Sequence, residues 1–139
     1  MILLDTNVVS ETMKPTPSPQ VIAWLDRQAP ATLYLSTITV AELQYGIACL
    51  PDSRRRDLLQ QGVDALIQLY EGRILSFDLA AARRYADLAA QARQRGRGFP
   101  LPDSYIGAIA AVSKFKVATR DEAPYLAAGL SIVNPWNAA

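Results

Sequence analysis

Four acidic residues stand where predicted strands end or predicted helices begin: Asp5, Glu42, Asp103 and Asp121. Asp5 directly follows the apolar run of residues 2–4, and Asp121 follows the segment 117–119 through one arginine. Glu42 and Asp103 fall in the first turns of two predicted helices. Because ligands of open parallel sheets bind beyond the carboxyl ends of the strands, we expect a doubly wound fold to bring these four carboxylates together.

A pocket shared by four carboxylates has a specific chemical consequence. The negative charges repel one another, which raises their pKa values and weakens folding unless a cation neutralises them. Hard oxygen ligands select Mg²⁺ or Mn²⁺ over zinc or copper. A divalent ion held in this way lowers the pKa of bound water and polarises a phosphoryl oxygen. The pattern therefore favours the hypothesis of metal-assisted phosphodiester hydrolysis.

The chain contains no histidine. This absence removes the usual general base near neutral pH, and it excludes catalytic triads and zinc sites that are built on histidine. Any catalysis must therefore use carboxylates, hydroxyls, basic side chains or a metal ion.

Each of the four acids also has a purely structural explanation. Thr39 and Glu42 have the spacing of a capping box, in which side chains satisfy the first amides of a helix. Asp103 and Asp121 precede helical sequence and suit N-cap positions. The first acid suits a local Asx-turn with the asparagine two residues later. Residues of these types prefer such positions, so the convergence of the acids rests on the predicted topology.

Short apolar segments alternate with helical segments along the chain. The predicted strands cover residues 2–4, 33–35, 74–77, 117–119 and 130–133. The predicted helices cover residues 7–13, 21–30, 39–50, 51–70, 78–96, 102–114 and 122–127. The strands lack a period of two, which is typical of a parallel sheet with helices on both faces. We predict a single α/β domain over residues 1–139, a three-layer sandwich around a short central parallel sheet.

The composition indicates a compact globular protein rather than a disordered chain, with 50% hydrophobic and 19% charged residues. No apolar run approaches the roughly 18–20 residues that span a bilayer, and the first residues lack the basic leader of a signal peptide. The single cysteine, Cys49, excludes an internal disulfide and suits a reducing compartment. We expect a cytoplasmic protein without membrane association.

Four segments resemble the motifs of a PIN-domain ribonuclease. They are MILLDTNVVSE at residues 1–11, STITVAEL at 36–43, PDSYIGAI at 102–109 and VATRD at 117–121. Within that superfamily the chain is similar to the VapC toxin branch, and most similar to its FitB-type members. The resemblance extends to the ending Asn134-Pro135-Trp136.

The resemblance implies roles for particular residues. The metal-binding acids of the family match the four acids above, and the resemblance implies that they hold Mg²⁺ or Mn²⁺ and activate water for RNA cleavage. The supporting polar positions of the family, which orient carboxylates or water, match Thr6, Asn7 and Thr119. The helix of the third acid often opens Ala-Asp in the family, whereas here it reads Pro102-Asp103. Proline in a first helical turn is compatible with that geometry.

The resemblance also implies partners. It predicts the toxin of a type II toxin–antitoxin system, neutralised by a cognate VapB- or FitA-like antitoxin. Operator DNA is then contacted only through the antitoxin, RNA is the substrate, and the chain forms a homodimer.

Basic side chains are candidates for contacts with RNA phosphates, which would make RNA binding depend on salt. The candidates are Lys14, Arg83, Arg84, Arg97 and Arg120. Arg120, next to the fourth acid, also suits an internal ion pair. The sequence favours the hydrophobic core or a subunit interface for Trp24 over a base-stacking role, since aromatic residues chiefly dominate cores and interfaces.

Two other classes of function stay open at this stage. The first is a non-catalytic PIN-like module that binds RNA or protein. The second is a phosphotransfer domain, which needs an aspartate nucleophile with a supporting lysine. The chain has only Lys14, Lys114 and Lys116, and none follows a predicted strand end, so the sequence favours the nuclease. A nucleotide-binding Rossmann domain is disfavoured further, because Gly96-Arg97-Gly98 follows a helix rather than a strand.

Overall fold

The computed structural model describes residues 1–138 and contains a five-stranded parallel sheet. The strands are β1 (Ile2–Leu4), β2 (Leu33–Ser36), β3 (Ile74–Leu75), β4 (Lys116–Ala118) and β5 (Ile132–Val133). Their order across the sheet is β3-β2-β1-β4-β5, with β1 paired to β2 on one side and to β4 on the other. Because later strands are added to the sheet on both sides of β1, the carboxyl end of this strand lies at the topological switch point, where such sheets bind ligands.

Helices connect the strands and cover both faces of the sheet. They are α1 (Thr6–Thr12), α2 (Pro19–Asp26), α3 (Thr37–Ala48), α4 (Arg54–Leu69), α5 (Leu79–Gln94), α6 (Asp103–Ser113) and α7 (Glu122–Ala127). A short 3₁₀ turn, Pro30–Thr32, precedes β2 and was not predicted. Within residues 1–138, no helix combines the length and the apolar character needed to cross a bilayer.

Two strands are shorter than predicted because some of their predicted residues belong to the turns next to the neighbouring helices. The amide of Asp78 donates to the carbonyl of Ser76, so the chain already turns toward α5 at the residues predicted to end β3. At β5, Gly129 has a φ of +79° and the amide of Leu130 bonds back to the carbonyl of Tyr125. These residues terminate α7, and the strand begins at Ile132.

The strands contribute side chains to two hydrophobic cores, one on each face of the sheet. Leu4 and Leu35 pack with Trp24 on the face covered by α1 and α2. Leu3 and Val117 belong to the other core, which is covered by α5, α6 and α7. Burial of consecutive residues on opposite faces explains why the strands lack a period of two. The three-layer α/β sandwich is confirmed, and so is the core position of Trp24.

The capping interactions correct three local predictions. Ser36, which ends β2 in an extended conformation, caps α3 by accepting a hydrogen bond from the amide of Thr39 at 3.1 Å. The predicted capping box of Thr39 and Glu42 is therefore wrong, and Glu42 lies in the second turn of α3 rather than the first. Helix α6 has Pro102 at its N-cap, so Asp103 is its first residue and not its cap. Asp121 occupies the N-cap of α7, but its side chain makes no capping hydrogen bond.

Candidate functional site

A cleft of about 350 Å³ opens at the carboxyl edge of the sheet, beside the end of β1. Its lining includes three of the predicted acids and two of the predicted supporting residues, namely Asp5, Glu42, Asp103, Thr6 and Asn7. The fourth acid, Asp121, adjoins this group, because its amide donates to Thr119 Oγ1 at 3.0 Å and its carboxylate shares a hydrogen bond with Asp103. All four predicted acids therefore meet at one edge of the sheet.

Four hydrogen-bond donors contact the buried carboxylate of Asp5. Its Oδ1 accepts a hydrogen bond from the amide of Thr6 at 2.7 Å, which caps α1. Its Oδ2 accepts from the hydroxyls of Thr119 at 2.8 Å and Tyr125 at 3.0 Å, and from the side-chain amide of Asn7 at 3.4 Å. These bonds connect the ends of β1 and β4 to helices α1 and α7.

A chain of hydroxyl groups positions the carboxylate of Glu42. Thr6 Oγ1 donates to Glu42 Oε1 at 2.6 Å, and this bond uses its only hydrogen. Thr6 must therefore accept from Thr39 Oγ1, which lies 2.9 Å away, and Thr39 in turn accepts from the hydroxyl of Ser36 at 3.4 Å. Thr6 thus contacts Asp5 through its amide and Glu42 through its hydroxyl, and it joins α1 to α3.

The electrostatics of the acids indicate mutual repulsion. Burial raises the pKa of Asp103, and the charges of Asp5, Asp121 and Glu42 raise it further, to about 6. Burial also raises the pKa of Glu42, and the charge of Asp5 adds to this shift against the lowering hydrogen bond from Thr6. The pKa of Asp5 is raised by its burial, although hydrogen bonds from its donors oppose the shift. The cleft therefore carries negative charge that the fold does not neutralise.

The donor atoms of this site fit a hard divalent cation. Carboxylate oxygens are the ligands that Mg²⁺ and Mn²⁺ prefer, and a cation among them would relieve the repulsion that raises the pKa of Asp103. In the described part of the chain, no group of three or more His, Cys, Asp or Glu has the geometry of a formed metal site. The acids are therefore close neighbours whose charge and chemistry suit a metal ion, rather than a preformed cage.

Two cationic side chains on the wall of the cleft pair with a different acid. Lys14 Nζ lies 3.1 Å and Arg120 Nη2 lies 3.3 Å from Glu11 Oε1. The alternative that Arg120 forms an internal ion pair is therefore confirmed. The other basic candidates lie elsewhere: Arg83 and Arg97 do not line the cleft, and Arg84 lines a separate cleft at the amino edge of the sheet.

Two residues of the site were not predicted from the sequence. Glu11 is only 4% exposed, and Tyr125 is completely buried with its hydroxyl on Asp5. The sequence places Glu11 in the polar ending of the first motif, where nothing indicates burial. A tyrosine among the apolar residues of a short helix is typical of a core position, and only the tertiary structure directs its hydroxyl to a carboxylate.

Comparisons with known proteins agree with this architecture. Residues 2–130 match the PIN domain family. The chain is 50% identical to VapC ribonuclease Y4jK of Sinorhizobium fredii over 140 residues, which covers 100% of both chains. It is 41% identical to toxin FitB of Neisseria gonorrhoeae over 138 residues, or 99% of each chain. The solved structure of FitAB bound to an IR36 DNA fragment superimposes with a TM-score of 0.95 at 40% identity, covering 100% of this chain and 98% of that one.

The Tyr125→Phe substitution tests the hydroxyl that holds Asp5. Removing this donor leaves a buried carboxylate with one bond fewer, so we expect the free energy of unfolding in EDTA to fall by about 1 kcal/mol. Tyr34→Phe is the matched control, because the Tyr34 ring packs 4.8 Å from Phe115 and its hydroxyl has no hydrogen bond within residues 1–138. Urea denaturation measures both variants, and equal losses would contradict a specific role for the Tyr125 hydroxyl.

The raised pKa of Asp103 predicts a dependence of stability on pH in the metal-free protein. Because the native pKa of about 6 exceeds the ordinary value of 3.8, the native state binds more protons between these pH values. The contribution of Asp103 to the free energy of unfolding therefore falls as pH rises through this window. Solvent screens this half-buried group, so we expect wild type to lose about 1 kcal/mol relative to Asp103→Asn.

Chemical denaturation in EDTA at a series of pH values between 4 and 7 measures this difference. Asp87→Asn, at an exposed position of α5 without an ion pair in the described chain, is the control and should run parallel to wild type. Parallel curves for wild type and Asp103→Asn would show that burial and the neighbouring acids do not raise the pKa of Asp103.

Proposed function

This chain belongs to the PIN domain family, and from that membership and its acidic cleft we propose that it is a Mg²⁺- or Mn²⁺-dependent endoribonuclease, the toxin of a type II toxin–antitoxin system. The observation that carries the proposal is the meeting of four carboxylates at the switch point of the sheet, where no lysine or arginine within residues 1–138 forms an ion pair with them. We further propose that residues 1–139 act as one PIN domain in the cytoplasm, where Cys49 stays reduced.

The proposed ligands of the metal ion are the four acids, Asp5, Glu42, Asp103 and Asp121. A bound Mg²⁺ or Mn²⁺ supplies a Lewis acid that lowers the pKa of water and polarises a phosphoryl oxygen. In the metal-free protein below about pH 6, Asp103 is mainly protonated, and its hydrogen bond to Asp121 favours this form. Metal binding requires the release of that proton, so affinity for the metal should rise with pH.

The neighbouring residues orient the acids for this chemistry. The hydroxyls of Thr119 and Tyr125 donate hydrogen bonds to Oδ2 of Asp5, which fixes the plane of the carboxylate. Thr6 fixes Oε1 of Glu42. The side chain of Asn7 donates hydrogen bonds to Asp5 and Thr119. It also accepts a hydrogen bond from the backbone amide of Arg120 at 3.2 Å, so it connects the end of β4 to α1. Outer residues of this kind determine how well acidic ligands hold a metal.

An apolar groove of about 720 Å³ adjoins the acidic cleft and is the surface that we assign to the antitoxin. It lies between α1, α3 and α4, is lined by Met13, Ile47 and Leu58 among others, and shares Ser10 and Lys14 with the acidic cleft. An amphipathic helix suits such a groove, and acidic residues on its flank would meet Arg54 and Arg55 at the rim.

The position of the groove supports inhibition by direct coverage of the acids. A segment leaving the groove past Lys14 enters the acidic cleft, where a basic side chain would neutralise the carboxylates in place of the metal. Because FitAB is found on a DNA fragment as a complex, we propose that this chain contacts operator DNA through its antitoxin.

The homodimer stays a prediction, and one surface suits it. Tyr45 is 66% exposed and forms a shallow apolar depression with Ile38, Pro102 and Tyr105, next to the exposed Leu101. Exposed apolar patches of this kind mark interaction surfaces on soluble proteins.

The Asp5→Asn substitution tests the proposed nuclease. We expect RNA cleavage in Mn²⁺ to fall at least ~100-fold, since loss of a ligand should cost no less than the loss of an outer-shell partner. Asp26→Asn, outside the cleft lining, is the control and should cut like wild type. The measurement is cleavage of a mixed RNA pool, with thermal melting to confirm folding and expression in cells to score growth arrest.

Two outcomes of that experiment would change the conclusion. Equal cleavage by wild type and Asp5→Asn would refute the assignment of Asp5. A folded wild type that binds RNA but cuts none of it with either metal would favour the alternative, a non-catalytic PIN-like module.

The Leu58→Asp substitution tests the groove. A charge at this 55% exposed position would be desolvated by a bound helix, so we expect affinity for the co-expressed antitoxin to fall by 10-fold or more, with RNA cleavage unchanged. Leu126→Asp, 54% exposed on α7 and outside the groove lining, is the matched control. Titration calorimetry with the antitoxin gives both affinities, and equal binding by the two variants would place the antitoxin elsewhere.

A further inference from the structure

We infer that Glu11 is a positioning residue that keeps the two cationic side chains of the cleft, Lys14 and Arg120, off the metal-binding acids. The inference rests on the proposed function, because it concerns the carboxylates that would hold Mg²⁺ or Mn²⁺. It assigns a role to a carboxylate that lines the same cleft and ends the first motif, but is not one of the four proposed metal ligands.

The surroundings of Glu11 favour its charged form although the side chain is buried. It lies in α1, is 4% exposed, and accepts hydrogen bonds from Lys14 Nζ at 3.1 Å, Arg120 Nη2 at 3.3 Å and the amide of Ser18 at 3.4 Å. Burial opposes its charge, but these donors and the two nearby cations lower its pKa overall. Its partners Lys14 and Arg120 are each 55% exposed, so they keep contact with water in the cleft.

Arg120 is held on a second side by the end of the chain. Its guanidinium carbon lies 4.1 Å from the centre of the Trp136 ring, a cation–π contact. The backbone amide of Trp136 donates to Asn134 Oδ1 at 2.9 Å, and Asn134 Nδ2 donates to Glu122 Oε2 at 3.0 Å. The segment of residues 134–136 is thereby fastened to α7, and Arg120 is fixed between Trp136 and Glu11.

The position of Arg120 makes this restraint necessary. Arg120 immediately precedes Asp121 and lines the same cleft as Asp5, Glu42 and Asp103. A mobile guanidinium there would form charge-assisted hydrogen bonds with carboxylates, which are among the strongest in proteins. Within residues 1–138, however, neither Arg120 nor Lys14 forms an ion pair with any of the four acids.

The pKa values agree with this separation. The interactions that lower the pKa of Asp5 and Glu42 are hydrogen bonds from neutral groups, and nothing lowers the pKa of Asp103. Without Glu11, Arg120 would become an internal competitor for the place of the metal ion. With Glu11 present, Lys14, Arg120 and Glu11 together leave a net positive charge on the wall of the cleft, which can attract an RNA phosphate.

The test compares Mn²⁺ affinities of the full-length chain by titration calorimetry. We expect Glu11→Gln, which keeps the size of the side chain, to lower Mn²⁺ affinity about 10-fold, as the loss of outer-shell positioning does elsewhere. Adding Lys14→Ala and Arg120→Ala to Glu11→Gln should restore the affinity to that of the Lys14→Ala/Arg120→Ala double variant. A merely structural role for Glu11 predicts no such rescue.

Four results would overturn the inference. Glu11→Gln that binds Mn²⁺ like wild type, or a loss that persists in the triple variant, would exclude competition by the cations. If Glu11→Gln does not fold, Trp136→Leu is tested in its place, and we expect it to cause a smaller loss of Mn²⁺ affinity. The inference fails unless adding Arg120→Ala to Trp136→Leu removes that loss. Wild type and Asp5→Asn are titrated alongside. A wild type that binds no Mn²⁺ would instead refute the proposed function itself, together with this inference.

Discussion

The fold around the cleft depends on the hydrogen bonding of one buried carboxylate, that of Asp5. Its donors come from Thr6, Asn7, Thr119 and Tyr125, residues that follow β1, follow β4 or belong to α7. A buried charge costs several kcal/mol unless it is paired or fully hydrogen-bonded. The ends of β1 and β4 and their following helices must therefore stay together for Asp5 to stay charged, and the same bonds set the shape of the cleft.

These donors are neutral groups, and this choice determines what the cleft can bind. Hydrogen bonds from hydroxyls and amides stabilise a carboxylate without cancelling its charge, whereas a lysine or arginine would cancel it. The remaining repulsion appears in the pKa of Asp103, raised to about 6 by burial and by its three acidic neighbours. The metal-free protein is less stable for this reason, and the lost stability is the driving force available to a cation that enters.

The sequence predicts the fold well because its signals are local. Apolar runs end at polar residues, proline and glycine interrupt the helices, and the alternation of elements leads to a parallel sheet, so the strand and helix order was correct. The acids could be predicted because each lies at the end of a strand or in an early helical turn. Glu11 and Tyr125 could not, since their roles come from contacts across 109 and 120 residues of sequence. The capping box at Thr39 failed for a related reason: Ser36 and Thr39 have an equivalent spacing one turn earlier, and the strand end at Ser36 decides between them.

Under the proposed function, the same reasoning explains how one cleft would serve both catalysis and inhibition. Three kinds of cation would then compete for the four carboxylates: a divalent ion, the arginine and lysine of the chain itself, and a basic side chain of a bound partner. The fold restrains the second kind through Glu11 and Trp136, 3.3 Å and 4.1 Å from the guanidinium of Arg120. A partner helix bound in the groove beside Lys14 would favour the third kind, because it would raise the effective concentration in the cleft of a basic side chain on the segment that follows it. A free arginine in solution lacks that advantage. Under the proposed function, the choice between an active and an inhibited site is then a competition between cations for the same negative charge, decided by which of them the fold or the partner brings close.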